Sequence, residues 1–203
     1  LKLGLIFGGR SGEHAVSLMS ATSVRSVIDS AKYDIYEIGI TQEGKWLTGS
    51  ETLSAFKQGK LITQHEALLL NKDGQVGLYR LENGQLNLIS PIDVVFPVLH
   101  GTFGEDGTIQ GYFEMLDCAY VGAGVLASSV GMDKVVCKHV VHDAGIPVLE
   151  YAVFTRSEIR ADLDEVIRKA EQVYAYPLFV KPANLGSSVG ISKAYNREEL
   201  HTA

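Results

Sequence analysis

The sequence predicts an α/β fold with a parallel sheet, and its first forty residues already indicate this class. Residues 2–7 form a compact apolar run that ends in Gly8 and Gly9, and residues 13–30 carry apolar side chains at helical spacing. Residues 34–40 supply a second apolar run of strand length. Strand, glycine turn, helix and strand in this order form a βαβ unit, whose two strands lie parallel in one sheet.

A third observation comes from residues 94–99, a continuous apolar run that suits a central strand buried on both faces. His100 follows directly, at the carboxyl end of the strand, where open α/β sheets bind their ligands. A histidine at that place can donate to a carboxylate or a phosphate. Glu105 and Asp106 precede a helix predicted over residues 108–116, and turn and capping chemistry is favoured over ligand binding as their role.

The remaining elements follow from local patterns. Turn signals between short strand-like runs over residues 41–87 predict hairpins at a sheet edge, without catalytic residues. Helices are predicted over residues 125–131 and 133–144, and strands over 149–155 and 178–180. Between these two strands, a helix is predicted whose apolar face comprises Leu163, Val166, Ile167, Ala170, Val173 and Tyr174.

Composition limits the classes of function. The 203 residues have a net charge of -6, with 46% hydrophobic and 21% charged side chains, which is ordinary for a soluble globular protein and argues against nucleic-acid binding. Residues 3–7 are too short for the apolar region of a secretion signal, so we expect none, and no apolar run in these residues approaches membrane-spanning length. Cys118 and Cys137 lie far apart, which favours free thiols in a reducing cytoplasm over a disulfide or zinc framework. The chain starts without Met and stops within a predicted helix, so we expect it to be part of a longer protein.

Residues 181–190, K-P-A-N-L-G-S-S-V-G, are the strongest candidate for an anion site. An ammonium, backbone N–H groups and two hydroxyls can together surround a phosphate. The alternative is a glycine-rich hairpin with a solvated lysine. Lys134 begins a predicted helix, where the dipole disfavours a cation, so it has either an anionic partner or a small energetic cost. Glu13 lies in the first turn of its helix, where the dipole alone would explain a carboxylate.

The chain carries four spaced motifs, F-G-G-R-S-G-E-H-A-V-S-L at residues 7–18, H-G-T-F-G-E-D-G-T-I-Q-G at 100–111, Y-V-G-A-G-V-L-A-S-S-V-G-M-D-K at 120–134 and F-V-K-P-A-N-L-G-S-S-V-G-I-S-K at 179–193. In this order they together resemble the D-alanine–D-alanine ligases of the ATP-grasp superfamily. Four spaced motifs are far more specific than one glycine loop, and they run from end to end of the chain. The resemblance implies a Rossmann-like N-terminal domain over residues 1–131 and the first, incomplete part of an ATP-grasp domain, of α+β type, over residues 132–203.

The resemblance also implies roles for individual residues. Glu13 looks like the carboxylate that binds the ammonium of the first D-alanine and orients the catalytic serine network. Ser187 resembles the active-site serine of that network, so Glu13 and Ser187 are the implied catalytic residues. His100 resembles the histidine that lies close to the substrate.

The implied nucleotide site lies in the second half of the chain. Lys134 and Lys181 look like the lysines that hold the ATP phosphates, and Gly186 and Ser188 belong to the loop that covers them. The family also uses Mg²⁺ or Mn²⁺. We expect the metal ligands downstream of this sequence, with none in this chain.

The implied reaction begins when ATP phosphorylates the carboxylate of one D-alanine. The amine of a second D-alanine then attacks the acyl phosphate, which yields D-alanyl-D-alanine for peptidoglycan synthesis. The alternatives are a D-alanine–D-lactate or D-alanine–D-serine ligase of the vancomycin-resistance type, a ligase for another carboxylate, and a non-catalytic fragment that binds nucleotide or amino acid. The 203 residues alone are expected to be inactive. The expected partners are D-alanine and ATP, without nucleic acid or membrane, and a homodimer is a candidate assembly.

Overall fold

A computed structural model describes residues 1–186 and 189–203, which divide into two compact units. Unit 1 spans Leu1–Ser129 and unit 2 spans Val130–Ala203. The domain division expected from the sequence, 1–131 and 132–203, stays a prediction. No helix in the described part of the chain combines the length and the apolar character that crossing a membrane requires.

Unit 1 is built on a single sheet with helices connected to it. Its strands are β1 (Lys2–Gly8), β2 (Asp34–Ile40), β3 (Trp46–Thr48), β4 (His65–Lys72), β5 (Gln75–Glu82), β6 (Gln85–Pro91) and β7 (Val94–Leu99). Its helices are α1 (His14–Val27), α2 (Thr52–Gln58) and α3 (Thr108–Met115), while α4 (Val125–Met132) continues into unit 2.

The sheet is mixed, with the strand order β6-β5-β4-β3-β2-β1-β7. Strand β1 runs parallel to β2 on one side and to β7 on the other. Strands β3 to β6 join by antiparallel pairing, which matches the hairpins expected over residues 41–87. The predicted α/β class is therefore confirmed, and the parallel part of the sheet is the triplet β2-β1-β7.

Apolar side chains cover β1 on both faces, which explains its continuous hydrophobic run. Leu5 and Phe7 point to the side of α1 and α2, where they pack with Ala21, Leu53, Phe56 and Val98. Ile6 points to the opposite side and packs with Ile38, Val95, Ile109 and Phe113. All three β1 side chains are fully buried, so this strand forms the centre of unit 1.

The carboxyl ends of β1 and β7 form a topological switch point. The chain leaves β1 through α1 and returns as β2 on one side of β1. It leaves β7 through α3 and returns at Tyr120, which pairs with Val95 on the far side of β7. Because the two connections diverge here, this edge of the sheet is where open α/β folds generally bind their ligands.

Unit 2 is smaller and has a modest core. Its elements are α5 (Lys134–Asp143), α6 (Arg156–Ala161), α7 (Leu163–Val173), β8 (Leu178–Val180), β9 (Ser192–Ala194) and α8 (Arg197–Thr202). Strands β8 and β9 form an antiparallel pair. The buried centre consists of Ile167, Ala194 and Leu200. Of the apolar face predicted for α7, Ile167 belongs to this centre, and Leu163 and Ala170 pack against it. Tyr174 lies just past the helix and is half exposed.

The strand predicted over residues 149–155 is wrong. This segment is irregular, and Leu149 at its start is 72% exposed. Tyr151 packs on a lysine instead of a sheet, with its ring centroid 4.4 Å from Lys138 Nζ. A strand requires a neighbouring strand for its hydrogen bonds, and in the described part of unit 2 only β8 and β9 pair.

Candidate functional site

The loops that follow β1 and β7 meet at the switch point of unit 1. The Ser11 hydroxyl donates to the carbonyl of His100 at 2.8 Å and accepts the backbone N–H of Glu13 at 3.2 Å. One side chain therefore joins two loops that are almost ninety residues apart in sequence. Glu13 and His100, both predicted as site residues, are thereby brought to the same edge of the sheet.

Ser17 joins the two strands just below this edge. Its buried hydroxyl accepts the N–H of Gly8 at 2.8 Å and donates to the carbonyl of Val98. The bridge satisfies two polar backbone groups at the point where the strands separate. Ser17 thus supports both strand ends from α1.

The carboxylate of Glu13 lies against Gly101. A Cβ atom added to Gly101 would be 2.5 Å from Glu13 Oε2, closer than real Cβ contacts come. Gly101 also has φ of +71°, a left-handed conformation that favours glycine. Glu13 is the N-cap residue of α1 but makes no side-chain capping hydrogen bond, so capping does not account for a glutamate here.

His100 has a protein partner on each side of its ring. Its Nε2 lies 2.9 Å from Ser20 Oγ on α1, and its Nδ1 lies 4.0 Å from Glu105 Oε1. The other carboxylate oxygen of Glu105 accepts the N–H of Gly101 at 2.7 Å. His100, Glu105 and Gly101 therefore form one connected turn after β7.

Asp106 stabilises the same turn. Its carboxylate accepts the N–H of Phe103 at 2.8 Å and that of Thr108 at 3.0 Å. Burial raises the pKa of Asp106, but these hydrogen bonds outweigh it and hold the pKa below its usual value. The turn chemistry considered for Glu105 and Asp106 is thus observed for both.

In unit 2, Lys134 is fastened to the loop that follows β8. Its Nζ donates to the carbonyl of Leu185, and its backbone N–H donates to the carbonyl of Ala183 at 2.9 Å. Asn184 in the same loop donates to the Asp133 carboxylate at 3.0 Å. The start of α5 and the loop after Lys181 are therefore one local structure.

Asp133 explains how a lysine is tolerated at the start of α5. Its carboxylate accepts the N–H groups of Val135 and Val136 at 2.9 and 3.0 Å, and so caps the helix. The bond from Val136, with smaller contributions from Asn184 and Val135, holds the pKa of Asp133 below its usual value. The ionised carboxylate offsets the unfavourable interaction of the Lys134 cation with the helix dipole.

Lys181 lies directly after β8, beside an exposed aromatic ring. Its Nζ is 5.7 Å from the ring centroid of Phe179, and Lys193 Nζ on β9 is 5.5 Å from the same centroid. Within residues 1–186 and 189–203, no carboxylate forms an ion pair with Lys134 or Lys181. Both cations are thus suited to an external anion.

Ser187 and Ser188 lie outside the described residues, so their predicted roles stay predictions. Next to them, the carbonyl of Gly186 accepts the N–H of Val189 at 3.0 Å. No cluster of three or more histidine, cysteine or acidic side chains in the described ranges could hold a metal ion.

Sequence reasoning missed three serines, Ser11, Ser17 and Ser20. Ser17 and Ser20 are three residues apart on α1 and so lie on one face of the helix. Polar residues on a face that packs against a sheet are a signal that could have identified them. The hydrogen-bond partner of both Ser11 and Ser20 is His100, however, which lies 80 residues or more further along the sequence.

Two sequence profiles match the chain. The profile described as D-ala D-ala ligase N-terminus matches residues 2–123, and the one described as D-ala D-ala ligase C-terminus matches residues 140–203.

Curated relatives are similar over nearly the whole chain. The D-alanine–D-alanine ligase of Natranaerobius thermophilus is 47% identical over 201 residues, which covers 98% of this chain and 54% of the relative. The D-alanine–D-alanine ligase of Acetivibrio thermocellus is 47% identical over 214 residues, covering 98% and 56% respectively. The chain spans about half the length of the curated relatives it matches.

Solved structures have the same fold. The VanG D-Ala:D-Ser ligase from Enterococcus faecalis is 36% identical with a TM-score of 0.82, over 99% of this chain and 57% of that one. The D-alanine–D-alanine ligase from Coxiella burnetii is 31% identical with a TM-score of 0.83, over 100% and 56% respectively.

Proposed function

Because this chain belongs to the D-alanine–D-alanine ligase family, we propose that the complete protein joins two D-alanines with ATP to form D-alanyl-D-alanine for peptidoglycan synthesis. One observation carries the proposal: the carboxylate of Glu13 lies against Gly101 at the switch point, beside the turn that holds His100. A carboxylate at the switch point of an open α/β sheet suits an amino acid's ammonium group.

The first D-alanine would bind at this edge of unit 1. Glu13 would hold its ammonium by a charge-assisted hydrogen bond, which is stronger than a neutral one. Because Gly101 has no side chain, the Glu13 carboxylate can occupy the space beside it. Ser187 would act with Glu13 as the second catalytic residue, and His100 would lie close to the substrate.

The phosphates of ATP would bind in unit 2, at Lys134 and Lys181 with the loop that contains Gly186 and Ser188. The fit rests on two ammonium groups that form no ion pair with a carboxylate of the described residues, and on the loop to which Lys134 is hydrogen-bonded. ATP supplies the phosphoryl group that activates a D-alanine carboxylate. The part of these protein residues is to position the phosphates and neutralise their charge.

We assign no residue of the described ranges to Mg²⁺ or Mn²⁺, because they offer no suitable group of ligands. We expect the metal ligands in a region that corresponds to the part of the relatives' sequences that this chain does not match.

We also propose that the protein works in the cytoplasm, where ATP is available. The homodimer remains a candidate, and light scattering of the purified protein would decide it.

The direct test is Glu13→Gln in the complete protein. Loss of the charge should lower kcat/KM for D-alanine roughly a hundredfold, since a hydrogen bond to a charged group is being weakened at the reacting substrate. Glu51→Gln is the matched control, because Glu51 is also an N-cap residue without a side-chain cap bond, on α2. Equal rates for Glu13→Gln and the control would contradict the proposal.

The runner-up function is a D-alanine–D-serine or D-alanine–D-lactate ligase. It is favoured by the similarity to the VanG D-Ala:D-Ser ligase from Enterococcus faecalis. An assay of the complete protein with D-alanine, D-serine and D-lactate as competing second substrates distinguishes the three. Exclusive use of D-lactate or D-serine would overturn the primary proposal. A non-catalytic binding fragment would give no product with any of them.

A further inference from the structure

Helix α1 carries five hydroxyl side chains, and three of them bond within the helix. These three are Thr22 to the carbonyl of Leu18 at 2.7 Å, Ser23 to that of Met19 at 3.4 Å and Ser26 to that of Ser23 at 2.8 Å. Local bonds of this kind are usual for hydroxyls inside helices. Ser20 is different, because its hydroxyl reaches His100, 80 residues further along the chain.

The Ser20 contact by itself fits either tautomer of the His100 ring, and Glu105 on the other side of the ring favours one of them. The Glu105 carboxylate, 4.0 Å from Nδ1, favours a proton on that nitrogen. In the neutral ring Nε2 then has a lone pair, and the Ser20 hydroxyl, 2.9 Å away, can donate to it. Glu105 is itself held by the N–H of Gly101 at 2.7 Å, so the ring has a fixed partner on either side.

We propose that Ser20 is a positioning residue for the substrate site, whose hydroxyl, together with Glu105, fixes the rotamer and tautomer of His100. This inference rests on the proposed function for its effect on catalysis. A side chain near a reacting group must keep its orientation closely, because small misplacements cost large factors in rate. Ser20 supplies that constraint from α1, while Glu105 supplies it from the loop after β7.

The substitution Ser20→Ala isolates this role. Alanine has a higher helix propensity than serine, so the change does not weaken α1 itself. Ser23→Ala is the matched control, since Ser23 lies on the same helix but bonds only to a carbonyl of that helix. Ser20→Thr retains a hydroxyl at the same carbon and serves as the conservative variant.

In the complete protein, Ser20→Ala should lower kcat/KM for D-alanine roughly fivefold to tenfold, the effect of one lost hydrogen bond. Ser20→Thr should recover at least half of the loss, and Ser23→Ala should stay within about twofold of the unsubstituted protein. An unchanged value for Ser20→Ala, or the same loss in Ser23→Ala, would overturn the proposal.

A double-mutant cycle shows whether Ser20 acts through His100. In a His100→Ala background, Ser20→Ala should have no further effect, because the group that Ser20 positions is absent. The same loss in both backgrounds would show that Ser20 acts independently of His100, and would contradict a positioning role.

Nitrogen-15 NMR of the histidine side chains tests the contact without any turnover. His100 should carry its proton on Nδ1, and Ser20→Ala should shift the Nε2 signal and populate the other tautomer. An unchanged His100 spectrum in Ser20→Ala would overturn the inference. Absence of dipeptide synthesis by the unsubstituted protein would instead refute the proposed function, so the two failures are distinguishable.

Discussion

At the scale of single residues, small side chains and hydroxyls set the geometry of the candidate site. Ser17 and Ser11 bridge backbone groups of the β1 and β7 regions, and Gly101 gives the Glu13 carboxylate its place. None of these residues carries a charge. They act by determining where the charged residue, Glu13, can lie.

Gly101→Ala tests this arrangement. The new Cβ would overlap Glu13 Oε2 at 2.5 Å, so the carboxylate must move, and we expect the KM for D-alanine to rise about tenfold. The KM for ATP should change little. Steady-state kinetics of the complete protein with each substrate varied separately provide the measurement.

A matched control separates the overlap from the backbone strain of the substitution. Gly59 has φ of +66°, close to the +71° of Gly101, but nothing lies within 4 Å of its Cβ position. Gly59→Ala should therefore cost a similar ~1 kcal/mol of stability without changing either KM. A rise in the KM for D-alanine in both variants would show that strain, and not the displacement of Glu13, is responsible.

At the scale of elements, two of the candidate site residues lie at the N-terminal ends of helices. Helix α1 begins beside Glu13, and α5 begins with Lys134, which is preceded by the capping residue Asp133. The Asp133 carboxylate also accepts a hydrogen bond from Asn184, so the cap and the loop after β8 support each other. The position of Lys134 therefore depends on the cap.

Asp133→Ala should destabilise α5 by ~1 kcal/mol, the usual effect of removing an N-cap. Hydrogen exchange of the α5 amides in the complete protein measures this. Asp143→Ala is the control, because Asp143 is at the opposite end of the same helix, where a carboxylate is unfavourable. The capping role would be contradicted if Asp143→Ala also made the α5 amides exchange faster, or if Asp133→Ala left their exchange rates unchanged.

The cap should also depend on pH, because the pKa of Asp133 is lowered in the folded state. A lowered pKa means that folding favours the ionised carboxylate. Its contribution is therefore complete above the unfolded-state pKa of about 3.9 and is lost as the pH falls through the lower folded-state value. The difference in exchange between the unsubstituted protein and Asp133→Ala should disappear over that acidic range.

At the scale of the whole chain, the two units differ in the size of their hydrophobic cores. Two clusters of buried residues lie entirely in unit 1, on opposite faces of its sheet. The third lies in unit 2 and contains only Ile167, Ala194 and Leu200 as buried residues. Small cores provide little stability, because a short chain buries a low fraction of its surface.

We therefore expect a fragment of residues 1–129 to fold alone and a fragment of residues 130–203 to remain largely unfolded. Urea titration followed by circular dichroism should give a cooperative transition for the first fragment and none for the second. A cooperative transition in residues 130–203 would show that its core suffices.

Much of the fold was predictable because its signals are local. The apolar runs and turn residues identified β1, β2 and β7, and His100 was placed after β7 because it directly follows the apolar run 94–99. The strand expected over 149–155 failed for the converse reason, since an apolar run becomes a strand only if another strand is available to pair with it.

The sequence by itself determined the types of most elements, the four motifs that establish the family, and the candidate residues Glu13, His100, Lys134 and Lys181. Tertiary structure decided the mixed sheet, the place of Glu13 against Gly101, and the partners of Ser17 and Ser20. Helix and turn signals arise from neighbours within a few residues and can be read along the chain. A hydrogen bond between residues 80 positions apart forms only when the fold has brought the two residues together, so no local sequence pattern predicts it.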